Sequence, residues 1–223
     1  MPDGQYSFYL HSDDRTDIAA MATISTISQP LRGEFIRTAA TAGAVVYQVD
    51  ARLPALIPVF FAGQLSAVRL CAVMALVSGT WSSLTGLPDE PENGGAALPV
   101  SPETEYQRRR YTLTLQNDRS GERVESVLTE ASSRLRGDLL RNLIITGLAL
   151  HTTAPELPRL LASMPVPPTS VSELQALVQQ MAGTADVNRA AAAVPDTPAA
   201  SAAPVSGSDT REIKKNMRRA FGD

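Results

Sequence analysis

The chain has 223 residues, of which 43% are apolar, and a formal net charge of −3. That length suffices for one or two small domains with a core, and the mild acidity gives no global sign of a nucleic-acid or membrane partner, leaving local patches to carry any such role. Cys71 is the only cysteine, and His11 and His151 are the only histidines. This excludes an internal disulfide and a cysteine-based zinc site and argues against metal catalysis.

The N-terminal stretch MPDGQYSFYLHSDD lacks the basic and apolar regions of a signal peptide, so a cytoplasmic location is expected. Within it Tyr6, Phe8 and Leu10 alternate with Ser7, Tyr9 and His11, the period of a half-buried strand. After a polar break, Asp13 or Asp14 is placed to cap a helix on which Ile18, Met21, Ile24, Ile27 and Leu31 share one side. Pro30 and Gly33 punctuate the join to a second helix, GEFIRTAATAGAVVYQV. Residues 53–79 are nearly all apolar and could span a bilayer by length. Arg69 within that stretch, and Pro54 and Pro58 at its start, favour a buried helical extension instead. Residues 87–107 have the Pro/Gly/Glu content of a linker.

The pattern then recurs. In RRRYTLTLQND, Tyr111, Leu113 and Leu115 alternate with Thr112, Thr114 and Gln116. Val124, Val127, Leu128, Ala131 and Leu135 follow at helical spacing, and GDLLRNLIITGLALH reads as the second helix. An amphipathic extension, LPRLLASMPVPPTSVSELQALVQQMAG, comes next. LRGEFIRTAATAGAVVYQVDARLPAL from Leu31 aligns without a gap on LRGDLLRNLIITGLALHTTAPELPRL from Leu135. The identities include Gly33/Gly137, Arg37/Arg141, Gly43/Gly147 and Pro54/Pro158, so punctuation repeats as well as apolar periodicity. A period this long indicates a duplicated small domain rather than a solenoid. Gly43 and Gly147 are read as sites of close helix packing. Residues 188–208 are Ala/Pro/Ser-rich and read as a disordered linker. Residues 209–223 read as a short basic amphipathic helix, with Ile213, Met217 and Phe221 recurring at four-residue steps.

Each repeat holds a single short strand, which cannot satisfy its backbone groups alone. The expected fold is therefore mainly α with short β: two ribbon-helix-helix units in one chain, each with a helical extension. The boundaries are 1–86, a linker over 87–107, and 108–187. The two strands are expected to pair within one chain; the competing arrangement pairs like strands of two chains. Such a two-stranded antiparallel ribbon fits the major groove of DNA.

GDLLRNLIITGLALHTTAPELPRLL, its extension and the terminal EIKKNMRRAF together resemble the ParR/StbB family, the centromere-binding adaptors of actin-like plasmid partition systems. The usual family member carries one unit and forms homodimers, whereas two units share a chain here. The resemblance implies binding to repeated centromere sites on double-stranded plasmid DNA, self-association into arrays, control of the protein's own operon, and recruitment of an actin-like ATPase of the ParM type. The duplication resembles relaxosome proteins of the TraY type, so a relaxosome or transcription-control DNA binder is the alternative.

On the ribbon, Tyr6, Phe8, Leu10, Tyr111, Leu113 and Leu115 should be core. The opposite face offers Gln5, Ser7 and Tyr9 from one strand and Arg110, Thr112 and Thr114 from the other, groups able to bond base edges. Arg108, Arg109 and Arg110 stand at the ribbon entrance, suited to phosphates. Arg37 and Arg141 lie one turn into helices whose N-terminal N–H groups could hold a phosphate. In the tail, Ile213, Met217 and Phe221, with Lys214, Lys215 and Arg218 around them, are the expected partner-binding residues. No Walker A run, nucleotide-binding glycine triplet or nucleophile–histidine arrangement is present, so no enzymatic activity, metal or cofactor is expected.

Overall fold

Unpaired backbone groups dictate the first contact, because each seven-residue strand must find a ladder partner. A computed structural model of the chain describes residues 4–80 and 108–192, with side chains as far as residue 183. In it β1 (Gln5–His11) pairs antiparallel with β2 (Arg108–Thr114) of the same chain, the register running from Gln5 opposite Thr114 to His11 opposite Arg108. Phe8, Leu10, Leu113 and Leu115 are buried beneath the ribbon, and Tyr6 and Tyr111 pack partly against the same core.

Both strands lead into helices capped in the same way. Asp14 accepts the Asp17 N–H (2.9 Å) to start α1 (Arg15–Ser25), and Asp118 accepts the Gly121 N–H (2.7 Å) to start α5 (Arg119–Glu130). An acceptor at this position satisfies one of the orphan donors of the first turn. On α1, Asp17, Ala19, Ala20 and Ile24 are buried, while Ile18 and Met21 are only half-buried. On α5, Val124, Val127 and Leu128 are buried, as the periodicity predicts.

Leu31 and Leu135 depart from expectation: instead of continuing those stripes they are 61% and 58% exposed. The helical phase ends at Ser25 and at Glu130, and a turn intervenes before α2 (Arg32–Val49) and α6 (Arg136–Thr153) restart it. The turns are held alike, the Arg32 Nε donating to the Ile27 carbonyl (2.8 Å) and the Arg136 Nε to that of Ala131 (3.2 Å).

α2 and α6 form the centre of the fold, buried along Ala39–Val46 and Leu143–Leu150. They cross where each has glycine. A Cβ on Gly43 would stand 2.1 Å from the Leu143 carbonyl oxygen, and one on Gly147 would stand 2.2 Å from that of Ala39. The repeat maps Leu143 onto Ala39, so the crossing is the same contact made twice about a pseudo-twofold axis.

The apolar stretch 53–79 is not one helix. It divides into α3 (Leu53–Phe60) and α4 (Ala67–Ser78), separated by an irregular segment containing Gly63. Among the described residues no helix is long and apolar enough to cross a membrane. Nor is the stretch wholly buried: Val59 is 72% exposed, and Phe60, Val68 and Leu76 also face outward. The second extension comprises α7 (Leu157–Ser163) and α8 (Val171–Ala192). α8 carries helix into the first residues of the span read as a linker.

The extensions cross over. α3 packs chiefly on α6, and α7 chiefly on α2. Thr16 Oγ1 donates to the Pro58 carbonyl (3.1 Å), and its repeat counterpart Ser120 Oγ donates to the Ala162 carbonyl (3.4 Å). The repeats are thus interlocked, and the described residues as far as Asn188 form one compact unit. The boundary between residues 86 and 87 lies outside the described residues.

Gly43→Ala and Gly147→Ala are each expected to destabilise the fold by about 1–3 kcal/mol or more, because the added methyl meets backbone, which no rotamer change relieves. Gly33→Ala is the control: nothing lies within 4 Å of a Cβ there, and alanine is the better helix former. Urea unfolding followed by circular dichroism should show lower midpoints for the first two variants and an equal or higher one for the third.

Candidate nucleic-acid interface

Alternation puts the even positions of β1 in the core and turns the odd ones outward; in β2 the parity is reversed. Across the ladder the outward pairs are Gln5–Thr114, Ser7–Thr112, Tyr9–Arg110 and His11–Arg108. The six residues expected on the outer face, Gln5, Ser7, Tyr9, Arg110, Thr112 and Thr114, therefore do share one face. Thr112, Thr114, Gln5 and all three arginines are exposed.

The arginines on this face are held in place. Arg110 donates from Nε (3.2 Å) and from a terminal nitrogen (3.0 Å) to the Ser7 hydroxyl. The Arg108 guanidinium lies over the Tyr9 ring, 3.5 Å from its centroid, a cation–π contact. Arg109 has the opposite parity. It lies on the other side of the strand, its guanidinium 5.3 Å from the centroid of the half-buried Tyr111 ring, and does not join the outward face. Tyr111 itself stacks on Phe8. Burial raises the Tyr111 hydroxyl above its ordinary pKa, with Arg109 and Arg32 pulling the other way. Burial likewise raises Tyr6, helped by Glu125, to which it donates a hydrogen bond (3.4 Å).

The start of α6 abuts the ribbon: a Cβ on Gly137 would lie 3.5 Å from the Ser7 carbonyl oxygen. The two helix arginines singled out by the repeat are engaged elsewhere. Arg37 forms an ion pair with Glu34 of its own helix. Arg141 turns inward, its Nε donating to Asp17 Oδ1 (2.7 Å), with a terminal nitrogen 2.6 Å from the same oxygen and 3.3 Å from Asp14. Asp17 is fully buried, and its other oxygen accepts the His11 N–H (2.9 Å). Burial holds its carboxyl above the usual carboxylate range, against the pull of Arg141 and that N–H. The geometry makes Arg141 a strut between the repeats.

Sequence periodicity missed Asp17, a charge on the core side of α1. One signal was present: the repeat aligns Asp17 with Gly121. No side chain fits there, because a Cβ on Gly121 would lie 2.0 Å from the Gln116 carbonyl oxygen. Both halves have a pocket beside this position: one of about 200 Å³ lined among others by Arg37, Thr41, Ser120, Gly121 and Arg159, and one lined among others by Asp14, Asp17, Asp138 and Arg141. The expected partner-binding residues Ile213, Lys214, Lys215, Met217, Arg218 and Phe221 lie outside the described residues.

A family model described as a plasmid stability protein matches residues 4–74 and 109–178. Each matched segment opens at a strand and ends inside the last helix of its repeat, α4 or α8. No curated protein and no solved structure matches the chain.

Arg141→Met should cost about 3–5 kcal/mol near neutral pH, since it leaves the Asp17 carboxylate buried without its counter-ion. The sign with pH follows from the raised Asp17 pKa, which this change drives higher. The folded state then holds the proton more tightly than the unfolded chain, so the loss is complete above the folded-state pKa and shrinks as pH falls through it. Urea unfolding at a series of pH values should show parent and variant converging on acidification. A gap that stays constant would mean that Asp17 is not the group left uncompensated.

Proposed function

The chain belongs to the plasmid stability protein family, and from that premise we propose that it acts in plasmid maintenance as a partition adaptor of the ParR/StbB kind. In this reading the two repeats are ribbon-helix-helix units, and their shared ribbon enters the major groove of double-stranded plasmid DNA at repeated, centromere-like sites. The observation that carries it is the outward face of the ribbon, where exposed Gln5, Thr112, Thr114 and Arg110 share one side, away from the core. A two-stranded ribbon has the width of the major groove; Arg suits guanine, Gln suits adenine, and the threonine methyl suits thymine. Arg108 at the end of that face and the N-terminus of α6, which abuts Ser7, stand where phosphates would run. Arg109, beside Tyr111, serves phosphate rather than base. Occupying such sites near its own promoter would also repress its operon.

The same reading assigns the C-terminal residues to an actin-like ATPase filament. The four-residue spacing of Ile213, Met217 and Phe221, with Lys214, Lys215 and Arg218 between them, is the pattern an amphipathic helix would use to enter a partner's groove. A single such helix binds weakly, and several chains on clustered DNA sites would bind through avidity. This chain then needs no chemistry of its own.

Two experiments test the proposal. Replacing Arg110, Thr112 and Thr114 by Ala should cost about 1–3 kcal/mol per lost base contact in gel shifts with plasmid repeats at fixed salt. Unchanged affinity removes the ribbon face from the mechanism. Replacing Ile213, Met217 and Phe221 by Ser, with every basic residue kept, should abolish cosedimentation with the ATP-bound filament and leave DNA affinity nearly intact. Loss of DNA affinity with filament binding preserved would make the tail a DNA clamp.

A further inference from the structure

A ribbon built from two identical chains has a true twofold axis through its centre, so both ends carry the same groups and its site is palindromic. The ribbon here has the geometry of that arrangement without the identity. The buried pairs Phe8/Leu113 and Leu10/Leu115 place the pseudo-axis at the Ser7–Thr112 pair. Rotation about that point would bring Gln5 onto Arg110 and Thr114 onto Tyr9. One end of the outward face is thus Gln5 and Thr114, uncharged. The other is Tyr9 and Arg110, followed by His11 and Arg108. Both outward guanidinium groups lie at that second end, one fixed on the Tyr9 ring and one on the Ser7 hydroxyl. Arg110 uses two of its five N–H donors on Ser7 and keeps three, enough for a bidentate contact.

From this we infer that the ribbon reads a DNA site with no internal twofold symmetry, and reads it in one orientation. Guanine is selected at the arginine end, by bidentate donation to O6 and N7. Adenine or thymine is selected at the Gln5–Thr114 end. The ribbon is about 20 Å long, or roughly six base-pair steps, so the ends contact different base pairs and discriminate independently. The inference rests on the DNA-binding reading above and adds the polarity of the site.

The test is selection by the full chain from a library of short duplexes randomised over about eight base pairs, a length chosen to hold one ribbon, with one chain per duplex verified by sedimentation. The selected duplex is then compared with two symmetrised versions, each carrying one of its halves twice. A non-palindromic consensus is expected, with both symmetrised duplexes bound on the order of tenfold or more weakly. Arg110→Ala should relax selection at the guanine end alone, and Gln5→Ala at the other end alone; both residues are exposed, and circular dichroism verifies the fold. A palindromic consensus, or a symmetrised duplex bound as tightly as its parent, overturns the polarity and leaves DNA binding standing. If no duplex is enriched, the DNA-binding reading falls and the polarity with it.

Discussion

The crossing of α2 and α6 sets every other dimension of the fold. Two helices whose backbones touch at Gly43 and Gly147 approach closer than any side chain would permit. That approach buries both central turns, and each helix also meets the ribbon, α6 at β1 and α2 at β2. The strands that precede α1 and α5 are thereby delivered to one another at ladder distance. The crossing also explains why the extensions exchange: α3 leaves the end of α2 beside α6, and α7 leaves the end of α6 beside α2. Neither repeat owns a complete core, since each buries its apolar stripe mainly against the other.

Around this crossing the repeats agree at their helix caps and turns and diverge at the join of strand and first helix and in the extensions. The N-caps Asp14 and Asp118, the turn-closing Arg32 and Arg136, and the loop-tying Thr16 and Ser120 make paired bonds. Asp17 and Gly121 do not correspond chemically, and the difference spreads. Arg141 finds a buried carboxylate in the opposite repeat, while Arg37 turns to Glu34 on its own helix. The two extensions differ as well, with exposed Val59, Val68 and Leu76 standing where the second repeat has Ser163, Ser172 and Gln180.

Much of this was legible in the sequence, for identifiable reasons. Period-two alternation located both strands and their core sides, because a strand flanked by polar residues has one way to hide Phe8 or Leu113. The recurrence of Gly43 as Gly147 marked the crossing, since duplication preserves a residue that close contact requires. Leu31 and Leu135 were misread because periodicity carries no record of a turn that resets helical phase. The three arginines were read as one patch, although strand parity separates Arg109 from its neighbours. The pair Asp17–Arg141 left a single trace, the mismatch of Asp17 with Gly121 in the repeat, which does not name the partner. It joins residues far apart in sequence across the pseudo-axis, and no local pattern distinguishes a buried aspartate on α1 from a solvated one.

Placing both repeats in one chain changes what the ribbon is free to become. In a homodimer a substitution alters both halves together: a carboxylate at the position of Asp17 would stand in both, and the tight join that places the Gln116 carbonyl against Gly121 would occur in both or in neither. An arginine at one end of the face would likewise appear at the other, doubling the local charge. Fusion removes that coupling. It also makes strand pairing unimolecular, with an effective concentration set by the connecting chain rather than by the amount of protein present. A dimeric ribbon loses its ladder on dilution, because its stability contains the protomer concentration. The interlocked repeats keep theirs, so each half can hold residues that a symmetric partner could not tolerate, and the unequal ends of the outer face are the part of that freedom exposed to solvent.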